Sequence, residues 1–159
     1  MTYPWGKDEG GIFTSLVYSA LNGGASDVIG NVTVASLYTY VDQALGSWDQ
    51  RPLFKSHVSK LIPLRKCKPE IELDILRLLP KYFSSPTYEF SLDPSFEPRS
   101  EPKNLEKEEI FGNLQKYRAA RLLIPIGEEH MYYAAMNSKS CKLTSLGQFY
   151  WKLANKGKI

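Results

Sequence analysis

The sequence predicts an α/β segment followed by a smaller α+β unit, and three observations point there. Apolar residues recur at helical spacing over residues 12–21 and 33–45, and a strand-like run, Leu53 to Val58, follows them. Pro86, Pro94, Pro98 and Pro102 then interrupt the chain between residues 84 and 103. Residues 104–159 return to periodic structure in the order helix, extended run, extended run, helix. These breaks divide the chain into residues 1–66, residues 67–103 (a helix plus a Pro-rich linker) and residues 104–159.

Ile12, Phe13, Leu16, Val17, Ala20 and Leu21 fall on one face of the first helix, and Asn22-Gly23-Gly24 ends it, because Gly takes the left-handed cap conformation freely. Thr33 is the expected N-cap of the second helix. Leu37, Tyr38, Tyr40, Val41, Ala44 and Leu45 are its apolar positions, and Gly46 stops it. The run Leu53 to Val58 reads as a strand with Pro52 at its first position, where a missing N–H is tolerated. A second extended piece is expected over Leu61 to Leu64.

Pro69 suits the first turn of a third helix over residues 69–83, with Pro80 marking its end. Tyr88, Phe90, Leu92 and Phe96 are too apolar for a free tether, so the Pro-rich segment is expected to lie across a surface with these side chains tucked in. Asn104 caps a helix running to about Arg121, with Ile110, Phe111, Leu114 and Tyr117 inward. Leu122 to Ile126 and His130 to Met136 read as two strands joined by Gly127-Glu128-Glu129, and Thr144 caps a last helix.

Composition narrows the classes. The chain has 159 residues, of which 43% are hydrophobic and 13% aromatic, so a packed core is expected and global disorder is not. A net charge of +3 does not by itself imply a nucleic-acid partner. Two cysteines, Cys67 and Cys141, give neither a disulfide framework nor a metal-ligand spacing, and a reduced, cytoplasmic protein is the expectation. No apolar run reaches the roughly 20 residues of a membrane span, and no signal peptide is visible at Met1.

Four motifs occur in order: Gly11-Ile12-Phe13-Thr14 opening a helix, the turn Gly23-Gly24-Ala25-Ser26-Asp27, the helical Leu37-Tyr38-Thr39-Tyr40-Val41, and Gln50-Arg51-Pro52-Leu53-Phe54. Across residues 3–66 this set resembles the small-subunit half of the caspase-like cysteine peptidases, in particular prokaryotic members related to metacaspases. The resemblance implies a partial αβα fold. It also implies that the catalytic His and Cys belong to a large-subunit half, which usually carries an Asp-x-Cys-x-[Ser/Ala]-Gly stretch. The chain contains no such stretch, so no catalytic residue is assigned. Tyr3 and Trp5 fall where a loop of the family's substrate cleft would lie and are substrate-pocket candidates. Residues 104–159 resemble a winged-helix module: a helix, a two-stranded wing, then a helix opened by Leu143-Thr144-Ser145-Leu146-Gly147.

Other chemistry is weakly indicated. His57 with Cys67, and His130 with Cys141, lack any feature that would position a thiol–imidazole pair. Asp27 to Asn31 lacks the alternating carboxylates of a calcium loop and reads as a polar turn. Neither a metal site nor a cofactor is implied. Residues 130–159 hold five lysines and no acid. Lys139, Lys142 and Lys152 are the nucleic-acid-binding candidates. Against that, Glu106, Glu108 and Glu109 at the start of the preceding helix would repel phosphates. Tyr132-Tyr133 and Phe149-Tyr150-Trp151 read as core plus interface, or as a ligand platform.

The sequence therefore reads as the C-terminal part of a caspase-like peptidase, inactive alone. A segment of about 66 residues with so little sheet would bury too little surface to stand by itself. Its expected partner is a large-subunit-like half, or a second copy joined through an exposed sheet edge. Peptide substrate would bind only the intact parent, and no membrane is involved. A winged-helix module binding DNA or a partner protein is the alternative.

Overall fold

In the computed structural model, residues 11–46, 55, 62–98 and 101–159 are described. Among these residues the chain is mixed helix and strand with two small sheets, and it divides into units Met1–Glu70 and Ile71–Ile159.

In the N-terminal unit Gly11 precedes helix α1, Ile12–Ser19, which widens into a π-helical turn over Ala20–Gly24. Gly23, at φ 115°, ends it as expected. The carboxylate of Asp27 accepts the N–H groups of Ile29 and Asn31 at 3.0 and 2.8 Å, so this stretch is a polar turn. Strand β1, Asn31–Thr33, was not foreseen. Thr33 caps helix α2, Val34–Leu45, through a reciprocal pair: its hydroxyl accepts from Ser36 N at 3.1 Å and Ser36 Oγ accepts from Thr33 N at 3.0 Å.

Strand β2, Pro63–Lys66, pairs antiparallel with β1, Asn31 opposite Lys66 and Val32 opposite Arg65. The extended piece expected over Leu61 to Leu64 is thus shifted toward the C-terminus, and Leu61 itself is outside the described residues. So is the Leu53 to Val58 run, apart from Lys55. Ala20, Ala25 and Val32 form the small core, with Leu21, Leu37, Tyr40 and Cys67 packed on it.

The C-terminal unit corrects three expectations. The helix read over residues 69–83 is two short ones, α3, Leu73–Leu76, and α4, Leu79–Tyr82. Pro80 lacks an N–H and fits a first turn, so it opens α4 rather than closing a longer helix. The segment read as a linker contains strand β3, Glu89–Ser91, and a 3-10 turn over Pro94–Phe96. Leu92 and Phe96 are buried as expected, whereas Tyr88 is exposed. The rings of Phe83, Phe90, Phe96 and Phe111 follow one another at centroid separations of 5.9, 5.8 and 6.4 Å, which stitches this segment to the core.

Asn104 caps helix α5, Leu105–Ala119, by accepting from Lys107 N at 3.1 Å. Phe111, Leu114 and Tyr117 are buried on its inner face. Strand β4, Leu123–Ile126, follows. The third correction is that His130 to Met136 does not form the second strand of a wing. Met131–Met136 is helix α6, because Met131, Ala134 and Ala135 bury together at three- and four-residue spacing. The partner of β4 is strand β5, Ser140–Leu143. Thr144 caps helix α7, Ser145–Asn155, accepting from Gly147 N at 3.1 Å.

The three-stranded antiparallel sheet has the order β3-β5-β4. Leu123, Cys141 and Leu143 are buried on one face. Glu89, Lys142 and Ile124 stand in register on the other, where all three are exposed.

Candidate functional site

Helix α1 is rich in apolar side chains, yet none of its residues is buried. Ile12, Leu16 and Val17 are partly covered, while Phe13 is 48% and Tyr18 70% exposed. Strand β2 is exposed at all four positions, with Leu64 at 55%, and Ile62 just before it is at 73%. Arg65 reaches across to Asn22, its Nη1 donating to Oδ1 at 3.1 Å, and the next residue is Lys66. Among its described residues the N-terminal unit thus combines a two-stranded sheet with apolar side chains that the small core does not take up. Large apolar side chains gathered on a surface mark contact with another element or molecule.

Tyr3, Trp5 and His57 lie outside the described residues. Cys67 is partly buried, and its thiol donates to the Leu21 carbonyl at 3.5 Å. Cys141 is fully buried on the inner face of the sheet, where burial pushes its thiol up to about 12. A thiol so held stays protonated at neutral pH, which is the opposite of what a nucleophile needs. His130 is exposed and its ring lies 6.0 Å from that of Tyr133. Among the described residues no group of three or more His, Cys, Asp or Glu side chains converges as metal ligands would.

The structure does not gather the three candidate lysines. Lys139 precedes β5, Lys142 is on the outer face of the sheet, and Lys152 is about two turns along α7 from its start. Of the three, Lys142 alone lines the groove of about 510 Å³ between that face and the first turn of α7. Glu89, its register partner on β3, lines the same groove. The Leu143-Thr144-Ser145-Leu146-Gly147 motif serves packing: a β-carbon at Gly147 would meet the Leu122 carbonyl oxygen at 2.0 Å.

Two features escaped the sequence reading. Glu89 came to Lys142 through a strand hidden in the Pro-rich segment. A second groove, of about 470 Å³, lies between the end of α5 and the start of α6 and contains Gln115 and Arg118. Only the outward direction of Tyr132, Tyr133 and Phe149, all exposed, was signalled by the runs of aromatics. No family model, curated protein or solved structure matches this chain at a significant level.

Proposed function

We propose that the N-terminal unit is the small-subunit-like half of a caspase-like cysteine peptidase, and that it acts by packing against a half that carries the catalytic His and Cys. The observation that carries this reading is α1, an apolar helix of eight residues with none buried. So short a helix gains little stability from its own hydrogen bonds and depends on tertiary contact. The two-stranded β1–β2 sheet offers little surface for that contact, whereas a large-subunit half would supply further strands. The ordered motifs at Gly11, Gly23, Leu37 and Gln50 support this reading by their resemblance to that family. On this reading the chain completes or regulates a peptidase, and peptide substrate is bound by the assembly.

The test uses the full chain, alone and mixed with the His- and Cys-bearing half of a caspase-like peptidase expressed separately. Alone, the chain should show no thiol-dependent cleavage, and the α1 amides should exchange with solvent faster than those of α5. Addition of the partner half should slow α1 exchange. Cleavage by the chain alone that Cys67→Ala or Cys141→Ala abolishes would overturn the reading, and so would α1 exchange unmoved by the partner half.

A second reading belongs to the C-terminal unit alone, as a winged-helix-like module that binds a partner protein or DNA. Exposed Tyr132 and Tyr133 on α6 and Phe149 on α7 favour a protein partner, and Glu89 beside Lys142 disfavours a phosphate backbone. DNA affinity falling steeply with salt would reverse that preference.

A further inference from the structure

Gln115, Arg118 and Ala119 share one face of α5 at three- and four-residue spacing, and the start of α6, His130 to Tyr132, closes the groove opposite them. Arg118 is partly buried there. Its Nη2 donates to the Glu129 carbonyl, which ties the guanidinium to the turn before α6. Its Nε–H is enclosed and has no acceptor. Among the described residues no ion pair to Arg118 is found. A partly exposed guanidinium with no counter-charge on an open groove is free to pair with an anion from solution. Besides Arg118 the groove is lined by Gln115, Ala119, His130, Met131 and Tyr132, with no carboxylate, and the Glu128 carboxylate accepts from Asn137 Nδ2 at 2.8 Å.

Two rings, those of His130 and Tyr132, line the groove together with Arg118. The centroid of His130 lies 6.0 Å from that of Tyr133, and Tyr133 lies 5.3 Å from Tyr132 at an interplanar angle of 73°. Tyr132 and Tyr133 are about half exposed, at 49% and 51%. We propose that this groove is a binding site for an aromatic oxyanion, a ring bearing a carboxylate or a phosphate monoester. The anionic oxygens take the Nη N–H groups of Arg118 that the Glu129 carbonyl leaves open, and the ring lies against Tyr132. The planar fork of Arg suits both oxyanions, and a flat ring is what an exposed tyrosine face recognises.

The test follows the Arg118 Nε–Hε resonance and the backbone amides of Ala119 and Tyr132 in 1H–15N spectra of the full chain. Benzoate and phenyl phosphate are the two probes, and acetate and inorganic phosphate are their ring-free controls. Saturable shifts with either ringed probe, at least about tenfold tighter than with its control, are expected. Which probe saturates tells carboxylate from phosphate. Arg118→Lys keeps the charge and loses the fork, and should weaken binding about tenfold. Tyr132→Ala changes an exposed side chain and should abolish the preference for a ring while thermal unfolding stays unchanged. No saturable shift up to tens of millimolar with either probe overturns the site. Ringed and ring-free anions binding alike overturns the aromatic specificity, and shifts that survive both substitutions place the anion elsewhere.

Discussion

Gly147 lies so close to Leu122 that a β-carbon on it would sit 2.0 Å from the Leu122 carbonyl oxygen. The same carbonyl accepts the N–H of Thr144 at 3.0 Å, so the first turn of α7 is seated directly on the entry to β4. The obstruction is backbone, which cannot swing aside. Gly147→Ala should therefore destabilise the protein by about 1–3 kcal/mol in urea unfolding. Gly112, in α5, has nothing within 4 Å of the same construction. Gly112→Ala should be neutral or stabilising by up to about 1 kcal/mol, and equal losses at the two sites would refute the close-approach argument.

Asn113 is buried, and its Nδ2 donates to the Tyr82 hydroxyl at 3.1 Å. Tyr82→Phe removes the acceptor and leaves the amide without this partner, at a cost of about 1–3 kcal/mol. Replacing both residues, Tyr82→Phe with Asn113→Leu, should recover part of that loss. A double-mutant cycle measured by urea unfolding checks the coupling, and additive effects would argue that the two groups do not depend on each other.

Burial holds the Cys141 thiol at about 12, against an ordinary value of 9.0. At pH 8 the native protein should release no colour from Cys141 with a disulfide reagent until it unfolds, whereas Cys67 should react first. The sign for stability follows from linkage. The folded state keeps a proton that the unfolded chain gives up, so stability falls as pH rises through about 9 toward 12. Cys141→Ala should flatten part of that alkaline loss, which a pH series of thermal unfolding would reveal.

Lys107 donates to Asp93 at 2.7 Å, Ser95 donates to the other carboxylate oxygen, and these bonds hold the Asp93 carboxyl below the ordinary value of 3.8. A depressed carboxyl stabilises the fold above the unfolded value, and the contribution disappears as pH falls through the folded one. Asp93→Asn keeps an oxygen for the Ser95 N–H and loses the charge. It should lower stability at pH 7 by up to about 1 kcal/mol, the pair being partly exposed. That difference should shrink below pH 3.8; a difference that persists undiminished would assign it to packing.

Thr33, Asn104 and Thr144 cap the helices they precede because a cap is chemistry within three residues, and so it was legible in the sequence. The turn at Gly23 was legible for the same reason. The wing was not. Tyr132-Tyr133 favours an extended chain locally, but the core takes Met131, Ala134 and Ala135 together, and only a helix presents those three to it. Likewise nothing near Glu89 announces a strand, because its hydrogen-bonding partner begins at Ser140.

The amino-acid sequence by itself determined the caps of α2, α5 and α7, the apolar positions Phe111, Leu114 and Tyr117 of α5 that point inward, and that α1 carries more apolar surface than its own sheet can cover. Tertiary structure alone decided which strand pairs with β4, that Cys141 is sealed away, and that Glu89 stands beside Lys142. It also brought Arg118 to the start of α6, with no ion pair to it among the described residues. The division follows from range: caps and periodicity act over one to four residues, whereas strand pairing, burial and charge neighbours depend on segments far apart in sequence that meet only when the core closes.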